Sequence, residues 1–428
     1  MPKPILICTV GGSPEPILTA IRDLEPAFVL FFCTGEDPAT GKPGSQLMIR
    51  GKGTPVKIGR DAYARYLPNI PTHLGLSEDA YEDTLVPSDD LDHAVAIMTQ
   101  AIADLRKGFP EAACIADYTG GTKTMTAALV MASLDAEGVE LQLITGARSD
   151  LVRVRDGSEG PLAVSAEGIR LRRAMTPLLD AWQRFGYGEA ADGLARLRKP
   201  RDPNLRAELQ IAKDLSQAFD AWDRFDHAAA LAQLQVYSPR LGRACGAYLA
   251  ALKVMTAEGD AKRWPARLWD LWLNAQRRAD QCRYDDAVAR LYRLLEWTAQ
   301  WLLSTHEIDT SNLDPAQIPE SLNISPGPDG KYQAGLRNAW ALAAHHLGGD
   351  VATFWETESS HLLDLLKIRN YSILAHGDQP IASGDWETFR AWVQSALIPL
   401  LDAQSKAVGL KTLAPQLPQR PLWRNHQS

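Results

Sequence analysis

The feature that most constrains this chain is a passage that occurs twice: a short apolar run, a glycine turn, then a helical pattern. Residues 4–10 (PILICTV) run into GGSPEP and then a helical spacing over 17–24. Residues 113–117 (ACIAD) run into YTGGTKT and a helix over 125–134. A continuous apolar run bounded by turn residues is the pattern of a strand buried on both faces, as in a parallel sheet. A strand, glycine turn and helix in that order place each turn at the carboxyl end of its strand, where open α/β sheets bind ligands.

The neighbouring segments extend the pattern. Residues 28–34 (FVLFFCT) read as a second strand, 35–59 as a long loop rich in Gly, Pro and Lys, and 89–107 as an amphipathic helix. Residues 141–145 read as another strand, and 151–155 with 162–165 as a hairpin around DGSEG. Strands alternating with helices predict a Rossmann-like α/β domain with a parallel sheet and right-handed crossovers. Both turns suit an anion. Helix N-termini offer unbonded N–H groups, and glycines let a phosphate approach the backbone. Gly11, Gly12 and Ser13 form one candidate ligand-binding turn. Thr119, Gly120, Gly121, Thr122 and Lys123 form the other, adding hydroxyls and one cation. Neither turn fits the P-loop or the dinucleotide fingerprint, and the competing reading is two tight turns of a doubly wound sheet.

From residue 169 onward the strand signals fade and Trp, Leu, Ala and Arg recur at helical spacing, with breaks at 199–203 and 259–260. Residues 264–303 read as a helix pair, 314–330 as a Pro- and Gly-rich insert, and the Pro-rich tail after Leu413 as loosely ordered. At 428 residues the chain exceeds one ordinary core. The expected domains are 1–174, α/β; 175–260, an all-α connector; and 261–428, all-α.

The chemistry is sought in KIRNYSILAHG, residues 367–377. If that stretch is helical, Arg369 and His376 are seven residues apart and share one face. An Arg is a permanent cation suited to phosphate, and a His transfers protons near neutral pH. The pair can cleave RNA without metal: His moves the proton of a ribose 2'-hydroxyl or of the leaving oxygen, and Arg stabilises charge on phosphate. The plainer alternative is that His376 sits in a last helical turn capped by Gly377, where the helix dipole favours it.

An N-terminal domain with VGGSPEP and DYTGGTKT, followed by helices ending in RNYSILAHG, resembles the CARF-HEPN ribonucleases that accompany type III CRISPR systems, over essentially the whole chain. The HEPN motif is an Arg, four to six residues, then a His. Arg369 and His376 match it, and Asn370 takes the commonly polar position. The resemblance implies a CARF domain that binds cyclic oligoadenylate, a homodimer around that ring, and a HEPN pair that cleaves single-stranded RNA to 2',3'-cyclic phosphate ends. It names Arg369, Asn370 and His376 as catalytic and requires neither cofactor nor metal. Two other readings remain: a sensor with an inactive HEPN-like module, and a ring nuclease working in the CARF pocket, with Ser13, Tyr118 and Lys123 as candidates.

Charge and composition agree with such a protein. The formal net charge is −7, which disfavours a nucleic-acid coat over the whole surface, while residues 263–304 carry seven Arg against five acidic residues. Arg277, Arg278, Arg290 and Arg293 are candidates for an RNA-lining face, against a solvated face with pairs such as Asp286 to Arg290. Glu296 is expected to partner an Arg, and the aromatic residues to be core. No apolar run reaches membrane-spanning length and the N-terminus lacks a basic signal-peptide region, so a cytoplasmic protein is expected. Cys8, Cys33, Cys114, Cys245 and Cys282 are expected to be buried reduced thiols.

Overall fold

The computed structural model describes residues 3–50, 56–58, 65–67, 69–145, 160–374 and 377–423. The described chain divides into two compact units, Met1–Arg173 and Ala174–Ser428.

The first unit runs β1 (Ile5–Thr9), α1 (Glu15–Leu24), β2 (Phe28–Cys33), α2 (Leu47–Arg50), β3 (Val56–Ile58), β4 (Arg65–Leu67), α3 (Ile70–Leu74), β5 (Tyr81–Leu85), α4 (Leu91–Gly108), β6 (Cys114–Asp117), α5 (Lys123–Asp135), β7 (Val139–Thr145) and β8 (Gly160–Val164). Six strands form one sheet in the order β5-β2-β1-β6-β7-β8. All pairings in it are parallel except β7 with β8, so the expected parallel sheet carries one antiparallel edge. The sequence alternates inside the central strand. Ile5 and Ile7 pack with residues of α4 and α5, whereas Leu6, Cys8 and Val10 pack with α1. Because successive side chains point to opposite faces, a run that is apolar throughout fills two cores at once.

Three readings change here. The stretch 35–59 is not simply a loop, since it holds α2 and β3, and β3 pairs antiparallel with β4. Residues 151–155 of the expected hairpin lie outside the described residues, and its other arm, β8, pairs with β7. Strand β5 is absent from the sequence reading because its sequence, YEDTL, has no apolar run. It is an edge strand, where charged residues are usual. Its Asp83 carboxylate is buried and held by Arg50 and by Gln46 Nε2 at 2.8 Å.

The second unit is helical. Helix α6 (Glu167–Asp180) passes through the boundary, and α7 (Tyr187–Arg196), α8 (Pro203–Asp223), α9 (His227–Val236), α10 (Ser238–Leu241) and α11 (Arg243–Thr256) follow. Then come α12 (Arg263–Asp280), α13 (Tyr284–Ser304), α14 (Leu336–Leu347), α15 (Gly349–Tyr371), α16 (Ser383–Trp392) and, after a π-helical turn, α17 (Ile398–Ala407). The breaks expected at 199–203 and 259–260 fall between helices, with Pro203 opening α8, and 314–330 contains one short 3₁₀ turn, Pro315–Gln317. No described helix is long and apolar enough to cross a membrane.

The tail after Leu413 is ordered through residue 423, contrary to the sequence reading. Leu417, Leu422 and Trp423 are buried, and the Trp423 ring meets Trp182 edge-on with centroids 5.6 Å apart. Tyr187 Oη donates to Pro418 O at 2.9 Å, and Gln416 Oε1 accepts from the fully buried Arg277 at 2.8 Å. Prolines keep such a segment out of a helix, but they also lower the entropy lost when it docks.

Candidate functional site

Two places in the molecule gather the residues singled out in the sequence, one in each unit. In the first unit, β1 and β6 are neighbours, yet the chain reaches β6 only after running outward to β2 and β5. The strand order reverses between them, and at such a switch point both following turns open toward one crevice. The two glycine turns therefore stand side by side.

They also interlock. A Cβ on Gly11 would lie 2.5 Å from the backbone N of Gly121, and one on Gly120 would lie 2.6 Å from Thr9 O. Gly121 has φ +88°, a conformation side chains disfavour, and its Cβ would meet Thr9. So the glycines at 11, 120 and 121 are required by turn-on-turn packing itself. Gly12 is different, with open space around the position of its missing side chain.

The hydroxyls expected to meet a ligand are partly committed. Thr122 caps α5, accepting from Met125 N at 3.2 Å and donating to Ser88 O at 2.7 Å. Thr119 Oγ1 accepts from Ile144 N at 2.7 Å, and the Thr119 N–H donates to the buried Asp117 at 2.9 Å. Thr9 and Thr126 both donate to Gly120 O. Ser13 and Lys123 are exposed, and α1 starts without a side-chain cap. What remains presentable to an anion is thus the first turn of α1, Gly12, Ser13 and Lys123. Tyr118 packs against the apolar core.

Cys8, on β1, is buried. Burial, then the nearby Asp117 and Cys33, push the Cys8 thiol well up, and Cys33 is raised by burial and Asp83. Four of the five cysteines are buried as expected, while Cys282 is exposed.

In the second unit the shared-face argument for Arg369 and His376 does not hold. Helix α15 ends at Tyr371, and Ser372 is extended with φ −75° and ψ 155°. The same ending removes the reading of His376 as a last-turn residue of that helix. Ser372 is buried and organises the exit: its N–H donates to Arg369 O at 3.0 Å, its O accepts from Gly377 N at 3.2 Å, and its Oγ accepts from Leu374 N at 3.2 Å. Ile381 N donates to Asp285 at 3.2 Å, tying the far side of the loop to the start of α13. His376 lies outside the described residues, as does the side chain of Asn370.

Arg369 sits in the last turn of α15 with its guanidinium carbon 4.5 Å from the ring centroid of Tyr292 on α13. Such a contact is worth about 0.5–2 kcal/mol and in itself consumes no N–H donor. From sequence Tyr292 is expected only as core, because its partner lies 77 positions away and no local spacing links them.

The basic face read on α12 and α13 is mostly interior. Arg277 is fully buried and bound to Asp223 at 2.8 Å and Asp270 at 3.2 Å. Arg278 is buried against Asp223, and desolvation, with Arg290 and Arg283 nearby, pushes it down to about 10. Arg290 is half-buried between Asn274 and Asp286. Only Arg293 is exposed among the four, paired with Glu296 and lying over Trp297. Burial pushes the Asp270 carboxyl up, but Arg277 and His227 together hold it below the usual carboxylate range. Helix amphipathicity could not reveal this network, because the carboxylates that neutralise Arg277 come from α8 and α12 together.

An α/β unit with paired glycine turns at its switch point, followed in the chain by a helical unit with this Arg-bearing helix end, is the architecture that the resemblance to CARF-HEPN proteins implies. Residues 257–399 match the model of the Csm6 HEPN domain, a stretch that includes Arg369, Asn370 and His376. The whole fold is similar to that of Enterococcus italicus Csm6 bound to cyclic hexa-2'-fluoro-hexa-dAMP. That likeness has 10% identity and a TM-score of 0.54, covering 95% of this chain and 99% of the other. Can2 from Sulfobacillus thermosulfidooxidans, in complex with cyclic tetra-adenylate, matches at 12% identity and a TM-score of 0.23, over 56% of this chain and 67% of its own. No curated protein matches the sequence. The resemblance to CARF-HEPN proteins read from the two motifs is borne out.

Proposed function

We propose that the protein is a metal-independent endoribonuclease switched on by cyclic oligoadenylate, acting on single-stranded RNA as a homodimer in the cytoplasm. The observation that carries this reading is the match of residues 257–399 to the Csm6 HEPN domain, with Arg369 and His376 inside it. Residues 1–174 then form the CARF sensor, 175–260 the connector and 261–428 the HEPN ribonuclease domain. The break between units at Arg173 and Ala174 and the start of the match at 257 support these boundaries. The connector and HEPN helices share one core, since the tail binds Tyr187 and Arg277 alike.

In the reaction the ribose 2'-oxygen attacks the adjacent phosphorus, and the bond to the 5'-oxygen breaks. His376 takes the 2'-hydroxyl proton or supplies one to the leaving oxygen, and Arg369, held by Tyr292, meets the charge that builds on phosphate. The products carry 2',3'-cyclic phosphate and 5'-hydroxyl ends, and no water enters this step. Asn370 orients the phosphate or the His. A cyclic oligoadenylate has phosphates but no terminal triphosphate, which suits paired glycine turns better than a P-loop: Gly12, Ser13 and Lys123 would meet it, while Gly11 and the turn from Thr119 to Thr122 would shape the crevice. Two-fold symmetry puts two copies of those turns around one symmetric ring.

The test is purified protein with a fluorescent RNA and each cyclic oligoadenylate in turn, in EDTA. Cleavage stimulated by one ring size and indifferent to chelation is expected. Activity abolished by EDTA and restored by Mg²⁺ or Mn²⁺ would overturn the mechanism.

A further inference from the structure

A second cleft in the helical unit is built for a flat ring. Of the tryptophans among the described residues, Trp264, at the start of α12, is the most exposed, at 43%. Its indole meets Trp297 of α13 edge-on, with centroids 5.8 Å apart and planes at 79°. Between them and the segment around Glu307 and Asp309 lies a cleft of about 530 Å³, within the size range of small-molecule pockets. Arg293, one turn before Trp297 on α13, lies over the Trp297 ring at 5.1 Å.

The wall opposite the indoles is acidic. Asp309 Oδ1 accepts from Ser311 N at 2.8 Å and Ser311 Oγ at 2.7 Å, which hold its carboxyl below the usual range and ionised near neutral pH. Those bonds leave Oδ2 for a ligand, and Glu307 is exposed beside it. An exposed indole with two carboxylates does not select a phosphate. Together they select a π-system that carries N–H donors at its edge.

We propose that this cleft takes an unpaired nucleobase bearing an exocyclic amine, and so gives the RNA substrate its base preference. Adenine, cytosine and guanine present such an amine, whereas uracil offers only a ring N–H between two carbonyl oxygens that the carboxylates repel. The proposal rests on the ribonuclease reading. It also uses one fact of position: Tyr292, which holds Arg369, is five residues before Trp297 on α13, about 7.5 Å along the axis and about 140° around it, so a single strand that meets both has to pass around the helix.

The experiment measures binding without cleavage, using the His376→Ala protein, no activator, and fluorescent oligo(A), oligo(C) and oligo(U) of about ten nucleotides, within single-strand site sizes. Oligo(A) and oligo(C) should bind about tenfold more tightly than oligo(U), the range of one base-on-aromatic stack plus its edge contacts. Trp264→Ala should bring all three to the oligo(U) value, Trp264→Phe should restore most of the difference, and Glu307→Gln should reduce it. Equal affinity of the parent protein for the three oligomers overturns the proposal. So does a Trp264→Ala protein that keeps the preference, or one whose mass in solution falls by half, which would make the cleft an interface between two copies. Because no cleavage is read, base-selective binding by a protein whose wild type never cuts RNA would sink the ribonuclease reading, and with it the role in substrate choice, while leaving the nucleobase site itself standing.

Discussion

The glycine turns of the α/β unit and the Arg369 segment of the helical unit solve the placement of polar groups in opposite ways. Around Gly120 and Gly121 nearly everything is bonded to something else in the protein: Thr9, Thr119, Thr122 and Asp117 all bind the turn or its neighbours. At the end of α15 the helix stops, Ser372 gathers the departing backbone, and Ile373 and Leu374 are left largely exposed. A crevice that must present an unchanging shape to a ligand gains from interlocked backbone. On the proposed reading the segment after α15 faces RNA, and exposed side chains such as Ile373 and Leu374 suit that role.

The largest effect that can break this comparison is expected at His376. His376→Ala should lower activated RNA cleavage by about 10²- to 10⁴-fold with activator affinity unchanged, read as single-turnover rate beside ligand titration. Normal cleavage would remove His376 from the mechanism.

Gly121→Val tests the interlocked side. At φ +88° with Thr9 in the way, the variant should lose roughly 1–3 kcal/mol or more of stability in the α/β unit, whereas Gly12→Ala, in open space, should lose almost none. Urea unfolding of both variants decides it, and equal stability would mean that the turns are not locked. Gly121→Val is accordingly a poor probe of ligand binding, although its position in the motif suggests one.

Tyr292 sharpens the other side. Tyr292→Ala should slow cleavage by about 2- to 30-fold, the value of a cation–π contact, and Tyr292→Phe should keep most of the rate. If Phe is as slow as Ala, the hydroxyl and not the ring positions Arg369. The smallest effect is expected for Lys123→Ala, which removes one exposed cation: the activator concentration giving half-maximal cleavage should rise by about 2- to 5-fold, with the maximal rate recovered at high ligand, as for a single exposed charge contact. An unchanged curve would place the activator elsewhere.

The sequence by itself determined the local half of this protein. Runs such as PILICTV and FVLFFC can only be central strands, GG and TGGTKT can only be turns into helices, and the prolines at 200, 203 and 265 fall at or near helix starts. These follow from backbone sterics and from the two side-chain periods, which need no partner to be read. The Arg369 and His376 motif was legible as composition and spacing, but its geometry was not. Seven residues put two side chains on one face only if the helix continues, and α15 ends at Tyr371 because Ser372 turns its backbone into the interior.

Only the tertiary structure decided what depends on partners remote in sequence. Arg277 reads as a surface cation on an amphipathic helix until Asp223, Asp270 and Gln416 surround it. Removing one partner of such a buried pair typically costs about 3–5 kcal/mol, so its burial is obligatory once formed and invisible before. The tail reads as loose until Leu417 and Trp423 find their pockets, and YEDTL becomes a strand only because β2 offers it an edge. Charge, hydrophobicity and turn propensity are properties of a residue and its near neighbours. Burial is a property of the assembled chain, and it is burial that separates Arg277, a structural ion, from Arg369, set over Tyr292 at the end of its helix.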